Sequence, residues 1–188
     1  PEDAFLMQLH QTYIIAPTKS GLIIIHQQLA HERVLYEKYQ KASAQPHATQ
    51  KSLFPVVMEL SASDAVLLEE MVEDLANIGY EIEAFGQNSF IIQGIPADVL
   101  AGNEKNAIEL LLEQFKHFSA DLKFSKREKL LRSMALQNSI KAGIALTQKE
   151  MQGLINDLFA CESASTTPNG KPTFMRFDKE EMDRMFGK

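Results

Sequence analysis

The feature that most constrains the fold is an unbroken run of four aliphatic residues after Gly21: Leu22, Ile23, Ile24 and Ile25. Successive side chains of a β-strand point to opposite faces of the sheet, so this strand would present apolar groups on both faces. Polar residues at 26–28 then lead into a helical pattern that continues to Ala42. The sequence therefore predicts a short strand that is covered on both faces and followed directly by a helix.

Two different surfaces can cover the faces of this strand. One face can pack against the chain's own helices, and the other is left for a second copy of the chain. Residues 8–18 are predicted to form a preceding strand, joined through a turn at 18–21 into an antiparallel hairpin. We expect a homodimer in which this hairpin and the last helices make the contact, with four interface residues: Leu22, Ile23, Ile24 and Ile25.

The rest of the chain predicts an α+β fold with two lobes. A polar linker at 43–49 is followed by strand, helix, strand, strand and helix patterns, and Ser61 with Asp64 marks the start of the first of these helices. Three similar capping signatures predict helices at 126–142, 148–160 and 179–186: Ser125 with Glu128, Thr147 with Glu150, and Asp178 with Glu181. We predict a dimerisation lobe built from residues 1–49 and 120–188, with a βαββα regulatory lobe inserted at 50–119.

Composition narrows the class of protein. The 188 residues are 45% apolar and 23% charged, which suits compact lobes better than a disordered chain. The net charge of −6 argues against a strongly basic, independent DNA-binding module. The single cysteine, Cys161, excludes a disulfide framework and a zinc ribbon and fits a reducing compartment. No apolar run approaches the roughly 18 residues of a membrane span, so we expect no membrane contact.

Polar and titratable residues crowd the junction of the predicted strand and helix: His26, Gln27, Gln28, Leu29, Ala30, His31, Glu32 and, further along, Glu37. This segment resembles the signature segment of the MutL C-terminal domain family of DNA mismatch repair, in which a strand ends in Asp-Gln-His-Ala-x-x-Glu and another Glu follows. The resemblance extends from Gln8 to Phe186. It implies a dimerisation domain that joins two ATPase subunits and contacts other mismatch repair proteins.

The resemblance also implies where such a protein works and what it lacks here. We expect a bacterial protein of the cytoplasm, associated with the nucleoid. Its ATPase, with bound ATP and Mg, would lie in an N-terminal region that this chain lacks. The chain begins at Pro1 without an initiator methionine or a signal-peptide pattern, so we expect it to be a piece of a longer protein.

Family members with nuclease activity hold a divalent metal with residues from three places, and most of these are replaced here. In the first, the acid is replaced by His26 and the histidine by Gln28. The second falls on residues 135–137, where Leu136 replaces a thiol and could not bind metal. The third falls on residues 167–172, where Thr167, Asn169 and Lys171 replace a cysteine, a histidine and an arginine. We therefore expect a domain with no catalytic residue, no metal and no cofactor.

An alternative uses the ligand types that remain. His26, His31 and Glu32 could ligate zinc or manganese, and the domain would then be a divergent Mn- or Zn-dependent DNA nicking endonuclease. In the competing interpretation, His31, Glu32 and Arg33 form a polar cap and ion pairs at the start of a helix. The sequence has no GxGxxG or P-loop pattern and no base flanking Cys161, so nucleotide binding and thiol chemistry are not expected.

A short segment at the linker predicts a protein partner. Gln50, Leu53 and Pro55 fit the pattern Gln-x-x-Leu-x-Pro, which resembles the motif by which the MutL family docks on the replication sliding clamp. Leu53 and Pro55 would enter an apolar cleft, and the Gln50 amide would fix the orientation by hydrogen bonds. In the alternative interpretation, this is only the entrance of a strand, where Pro55 stops pairing.

One basic cluster begins a predicted helix, and three of its members are candidate DNA contacts: Lys126, Arg127 and Lys129. Lys123 and Arg132 flank them. Such a cluster could neutralise phosphates and give a dimer weak or indirect contact with a duplex. A solvated helix face is the alternative.

Overall fold

The computed structural model describes residues 5–42, 48–97, 102, 104–118 and 124–188. Its elements confirm the predicted α+β class. The strands of the described residues are β1 (Met7–Leu9), β2 (Tyr13–Pro17), β3 (Gly21–His26), β4 (Thr49–Glu59), β5 (Glu81–Ala84), β6 (Ser89–Pro96) and β7 (Phe174–Asp178). The helices are α1 (Gln27–Ala42), α2 (Ala62–Asn77), α3 (Glu104–Phe118), α4 (Lys126–Asn138), α5 (Gln148–Phe159) and α6 (Lys179–Met185).

The chain divides into two compact units. Unit 1 consists of Pro1–Glu37 and Asn138–Lys188, and unit 2 of Lys38–Gln137. The divisions fall inside α1 and near the end of α4, whereas the sequence placed them at 49/50 and 119/120. Contacts of α4 account for part of this difference, because Lys126 Nζ lies 2.6 Å from a carboxylate oxygen of Glu70 within unit 2.

Unit 1 is organised around an antiparallel sheet with the order β1-β2-β3-β7 among the described residues. The side chains of one face of the sheet form the core together with α1 and α5. Its fully buried members include Ile14 of β2, Ile25 of β3 and Leu158 of α5. Ala30 of α1 and Met151 of α5 belong to the same core. Because this face is buried, α1 packs against the sheet immediately after β3 in the chain.

The prediction of one strand over residues 8–18 is wrong. The chain reverses between β1 and β2, where His10 and Gln11 adopt positive φ angles of 52° and 48°. The Thr12 amide donates a hydrogen bond to the Leu9 carbonyl at 3.1 Å and closes the turn. Polar residues can adopt this left-handed conformation in a tight turn, so the segment folds back and adds β1 as an edge strand.

Gly21 is required at the start of β3 by a close approach between strands. A Cβ atom at this position would lie 2.0 Å from the carbonyl oxygen of Phe177 in β7. Only a residue without a side chain allows β3 and β7 to pair in this register. The glycine that precedes the aliphatic run therefore aligns that run with β7.

Unit 2 contains a second antiparallel sheet with the order β4-β6-β5 among the described residues. Helices α2 and α3 pack against it and bury apolar side chains such as Leu68, Leu75, Ile108 and Leu112. Helix α2 begins at Ser61, whose side chain accepts a hydrogen bond from the Asp64 amide. The first strand of this unit, β4, begins at Thr49, the last residue of the stretch that the sequence predicted as a linker.

Candidate functional site

The aliphatic run of β3 divides between the two faces of its sheet. Ile23 and Ile25 belong to the core of unit 1, with exposed fractions of 6% and 0%. Leu22 and Ile24 point to the opposite face and are only half-buried. Of the four predicted interface residues, Leu22 and Ile24 are thus the two that a second copy could reach.

The face that carries Leu22 and Ile24 is apolar across all four strands. Ile24 lies opposite Ile15 on one side and Met175 on the other, and Ile15 lies opposite Met7. The exposed fractions of Met7 and Met175 are 51% and 59%. We call this surface the outer face and define it by eight residues: Met7, Leu9, Tyr13, Ile15, Leu22, Ile24, Met175 and Phe177.

Sequence reasoning named only Leu22 and Ile24 of the eight outer-face residues as interface residues, although the predicted hairpin contact included Leu9, Tyr13 and Ile15. A signal was present, because apolar residues alternate at Met7 and Leu9 and again at Tyr13 and Ile15. Alternation of this kind marks one face of a strand. It became visible as one surface only when the strand order placed β7 beside β3.

The signature segment after β3 binds distant backbone through its polar side chains. Gln27 is fully buried, and its Nε2 donates to the carbonyl oxygens of Lys141 at 2.9 Å and Ile144 at 3.0 Å. Its Oε1 accepts a hydrogen bond from Gln8 Nε2 at 2.7 Å. Gln8 Oε1 in turn accepts from the Leu146 amide at 3.1 Å. The two glutamines thus fix the connection between α4 and α5.

Two more signature residues fix the same connection. The amide of Ile140 donates to His31 Nδ1 at 2.8 Å, and the amide of Ala142 donates to Gln28 Oε1 at 3.3 Å. Amides engaged in this way are not available to continue a helix. This explains why α4 ends at Asn138 and not at 142, where the sequence predicted it to end.

Arg33 and Glu37 hold the loop that follows α5. The Glu37 carboxylate accepts hydrogen bonds from the amides of Glu162 at 2.9 Å and Ser163 at 3.0 Å. Arg33 Nε donates to the carbonyl oxygen of Thr166 at 2.6 Å, and its guanidinium lies 3.6 Å from Glu37. Both side chains are buried, where charged groups need such partners. Arg33 and Glu37 therefore anchor this loop to α1.

The loop at 167–172, where the sequence resemblance predicted the third metal motif, is closed by its own hydrogen bonds. The Thr167 amide donates to the Lys171 carbonyl at 2.8 Å, and the Lys171 amide donates to Thr167 Oγ1 at 3.1 Å. Thr167 is buried, so its hydroxyl serves the turn. Cys161 lies outside this loop and its thiol is 3.4 Å from the carbonyl oxygen of Asp157, to which it can donate.

His26 ends β3 in an environment that favours the neutral imidazole. Burial lowers its pKa from the ordinary value of 6.5, and the nearby Lys171 cation also lowers it, while a backbone hydrogen bond acts in the opposite direction. The ring packs edge-on against Tyr13 with 5.4 Å between centroids, and its Nδ1 accepts from the Leu29 amide at 3.4 Å. His26 thus places a ring whose neutral form is favoured beside the outer face.

The three residues of the alternative metal site do not form a ligand cluster. Among the described residues, no group of three or more His, Cys, Asp or Glu side chains could hold a metal ion. His31 Nδ1 already accepts a backbone hydrogen bond. Glu32 is buried, and its carboxylate interacts with Lys141. Burial lowers the pKa of Lys141 below its ordinary value, and the negative charge of Glu32 offsets part of this shift. The second motif, at Leu136, lies on α4 in unit 2.

The predicted clamp-docking segment lies in β4, an edge strand of the unit 2 sheet. Lys51 pairs with Gly94 and Val56 with Ile92, so residues 52–55 bulge out of the ladder opposite a single residue of β6. A bulge at an edge is where a proline costs no ladder hydrogen bond, which accounts for Pro55. The exposed fractions of Leu53 and Phe54 are 90% and 83%.

The bulge borders a groove of about 470 Å³, whose lining includes Gln50, Leu53, Phe54, Val56 and Ile95. Sequence reasoning singled out Gln50, Leu53 and Pro55 and missed Phe54. A signal was present, because Phe54 directly follows Leu53 in the motif and is a second large apolar residue.

The basic cluster at the start of α4 is largely engaged within unit 2. Lys126 forms the ion pair with Glu70, and Lys129 is buried. Arg132 is also buried and its guanidinium lies 3.4 Å above the Phe124 ring. Lys129 therefore does not offer its charge to a phosphate, and Lys126 and Arg127 are the exposed members of the predicted DNA contact. Lys123 lies outside the described residues.

Comparison with known proteins identifies the family. The model of the MutL C terminal dimerisation domain matches residues 6–146. The DNA mismatch repair protein MutL of Chloroherpeton thalassium is 37% identical over 188 residues, which are 100% of this chain and 29% of that protein. MutL of Chlorobium phaeobacteroides is 39% identical over 99% of this chain and 30% of its own length. The chain belongs to the MutL C-terminal dimerisation domain family, as the signature segment predicted.

The chain spans about three tenths of the length of the curated relatives that it matches. Within the described ranges, no helix combines the length and apolar character that crossing a bilayer requires.

Proposed function

We propose that this chain joins two copies of a MutL-type mismatch repair protein as a homodimer, through the outer face of the unit 1 sheet. The observation that carries the proposal is the apolar surface that crosses all four strands, with Ile24 at its centre. An exposed apolar patch of roughly 300 Å² is often functional, and a twofold axis lets one surface pair with itself. Sedimentation equilibrium tests it, because the mass should approach twice the 21.1 kDa of one chain as concentration rises.

We further propose that the domain is not catalytic. The support is the use of the signature side chains: Gln27, Gln28 and His31 hold one connection, and Arg33 and Glu37 hold another. Residues engaged with backbone in this way are not presented to a substrate or a metal ion. On this account, strand incision in the repair reaction falls to another protein.

A plasmid assay tests the absence of nuclease activity. With Mn²⁺ or Zn²⁺, and with or without sliding clamp, we expect the parent chain to leave supercoiled DNA intact. Glu32→Gln is the comparison, because it removes the charge of the alternative ligand set while keeping its size. Nicking by the parent that the variant has lost would refute the non-catalytic account and establish a metal site at Glu32.

We also propose that the bulge at 52–55 docks on the replication sliding clamp. Leu53 and Phe54 are exposed at an edge strand and can serve as apolar anchors for a partner. Short motifs are often presented to a partner in this way. Changing Gln50, Leu53 and Pro55 to alanine should weaken clamp binding by roughly 10- to 100-fold, the value of losing one buried leucine side chain. The melting temperature should hardly change, because Leu53 and Pro55 are exposed.

Titration calorimetry with purified clamp measures this effect. Phe85→Ala is a matched control, because Phe85 is another exposed apolar residue of unit 2 but lies away from the bulge, after β5. Equal affinities for the parent and the triple variant would remove the clamp from this account.

Membership of the family also supports roles for the whole protein beyond this domain. An upstream ATPase region, with ATP and Mg, and contacts with other mismatch repair proteins would belong to the whole protein, in the cytoplasm and near the nucleoid. Any DNA contact from this chain would be weak, because only two of the three predicted contact residues, Lys126 and Arg127, are exposed. Two cations neutralise few phosphates.

A further inference from the structure

Helix α6 lacks the burial that normally stabilises a short helix. All seven of its residues are described, and none is buried. Met185 and the following Phe186 have exposed fractions of 68% and 83%. Short helices are marginal without tertiary packing of an apolar side. The apolar side of α6 is therefore a surface that needs a partner.

The outer face is small for a stable dimer if it acts alone. Four strands at about 4.8 Å spacing and five residues at about 3.3 Å give roughly 300 Å² of sheet. Stable protein interfaces bury about 800 Å² on each partner. The remaining area has to come from neighbouring elements. Helix α6 is the natural extension, because it follows β7, whose Met175 and Phe177 belong to the outer face.

A cavity in unit 1 has the chemistry to receive such a helix. Its volume is about 400 Å³, and its lining includes the apolar residues Leu22, Ile23 and Phe159. Lys19 and Arg176 add two positive charges to the same lining, and Asp178 adds one negative charge. Helix α6 carries the opposite combination, with acidic Glu180 and Glu181 in its first turn and apolar Met185 and Phe186 at its end.

We propose that α6 of each copy seats in this cavity of the other copy, so that the dimer is locked by an exchange of helices. The inference rests on the proposed homodimer and specifies what completes its interface. Phe186 and Met185 cover the apolar lining, and the first-turn carboxylates face Lys19 and Arg176. Leu22 lines the cavity and also belongs to the outer face, so the cavity borders that face at the start of β3, while Ile23 and Arg176 belong to the opposite face of the sheet. A twofold axis forms the contact twice.

Two variants test the exchange. Phe186→Asp disables the helix, and Arg176→Glu disables the cavity. Both side chains are exposed in the single chain, so neither change removes a core contact. We expect each variant alone to raise the dimer dissociation constant by roughly 10- to 100-fold. Phe85→Asp, an exposed phenylalanine of unit 2, is the control that should leave the dimer unchanged.

Mixing the two variants distinguishes exchange from a contact within one chain. A mixed dimer contains one intact helix opposite one intact cavity, so an equimolar mixture should form mixed dimers at concentrations where each variant alone is monomeric. Mass photometry or native mass spectrometry with one isotope-labelled chain reads this out.

Each result has a distinct meaning. Weak dimers that are not rescued by mixing would place the helix on its own chain and overturn the exchange. A Phe186→Asp variant that dimerises as tightly as the parent would overturn any role of α6 while leaving the outer-face dimer intact. A parent chain that stays monomeric at all concentrations would instead overturn the proposed function itself.

Discussion

Replacing Ile24 with aspartate should convert the dimer into folded monomers. Ile24 lies at the centre of the outer face, between Ile15 and Met175. A buried isoleucine is worth about 1.5–3 kcal/mol, and an uncompensated buried carboxylate costs several kcal/mol more. Because a twofold axis introduces the change twice, we expect the dissociation constant to rise by more than about 1000-fold. Sedimentation equilibrium over a dilution series measures it.

Two other substitutions make this result specific. Val66→Asp places the same charge on an exposed apolar position of α2 in unit 2 and should leave the dimer unchanged. Ile25→Asp places it in the core of unit 1 and should unfold that unit, not release a folded monomer. An Ile24→Asp variant that remains a dimer as tight as the parent would show that another surface joins the two copies.

Gln27→Leu should be among the most destabilising single changes in unit 1. It would leave Gln8 Nε2 and the carbonyl oxygens of Lys141 and Ile144 with fewer partners around a side chain that is itself fully buried. Each buried group that loses its hydrogen bond costs about 1–3 kcal/mol. We expect the free energy of unfolding to fall by roughly 3 kcal/mol.

Gln28→Leu is the matched control for this change. Gln28 is only half-buried and accepts a single bond of 3.3 Å from the Ala142 amide, so its loss should cost less than about 1 kcal/mol. Urea-induced unfolding followed by circular dichroism compares the two variants. Equal midpoints for both would mean that the Gln27 network does not stabilise the fold, and the structural interpretation of the signature segment would lose its main support.

Local chemistry made the helix starts predictable where the cap and its partner lie close in sequence. Thr147 and Glu150 form a reciprocal capping box, as their spacing predicted. The Ser125 amide donates to the Glu128 carboxylate at 2.8 Å, and the Glu128 amide donates to Ser125 Oγ at 3.2 Å. Both pairs depend only on residues three apart.

The same reasoning was wrong where a distant partner competes. The Asp178 side chain makes no capping hydrogen bond at the start of α6. Its carboxylate instead accepts a hydrogen bond at 3.2 Å from the hydroxyl of Ser20, which lies in the β2–β3 turn. The pairing of β7 with β3 brings Ser20 and Asp178 together, and nothing local in the sequence predicts that pairing.

The candidate site was predictable in part for the same reason. The aliphatic run at 22–25 indicated a contact surface, but a strand alternates, so the sequence could not tell which two residues would face the chain's own core. The signature residues were correctly placed at the strand–helix junction. Their targets at Lys141 and Ile144 lie more than a hundred residues further along the chain, so the purpose of Gln27 is visible only in the structure.

The most direct test of the central claim is a methionine oxidation footprint of the chain with its interface residues unchanged. Met7 and Met175 both lie on the outer face and are about half exposed in the single chain, so peroxide should oxidise them readily in monomers. Mass spectrometry across a dilution series should show both residues becoming protected together as the dimer forms. A methionine introduced at Val66, on exposed α2, should oxidise at a constant rate throughout. If Met7 and Met175 oxidise equally fast in monomer and dimer, the outer face is not what joins the two copies.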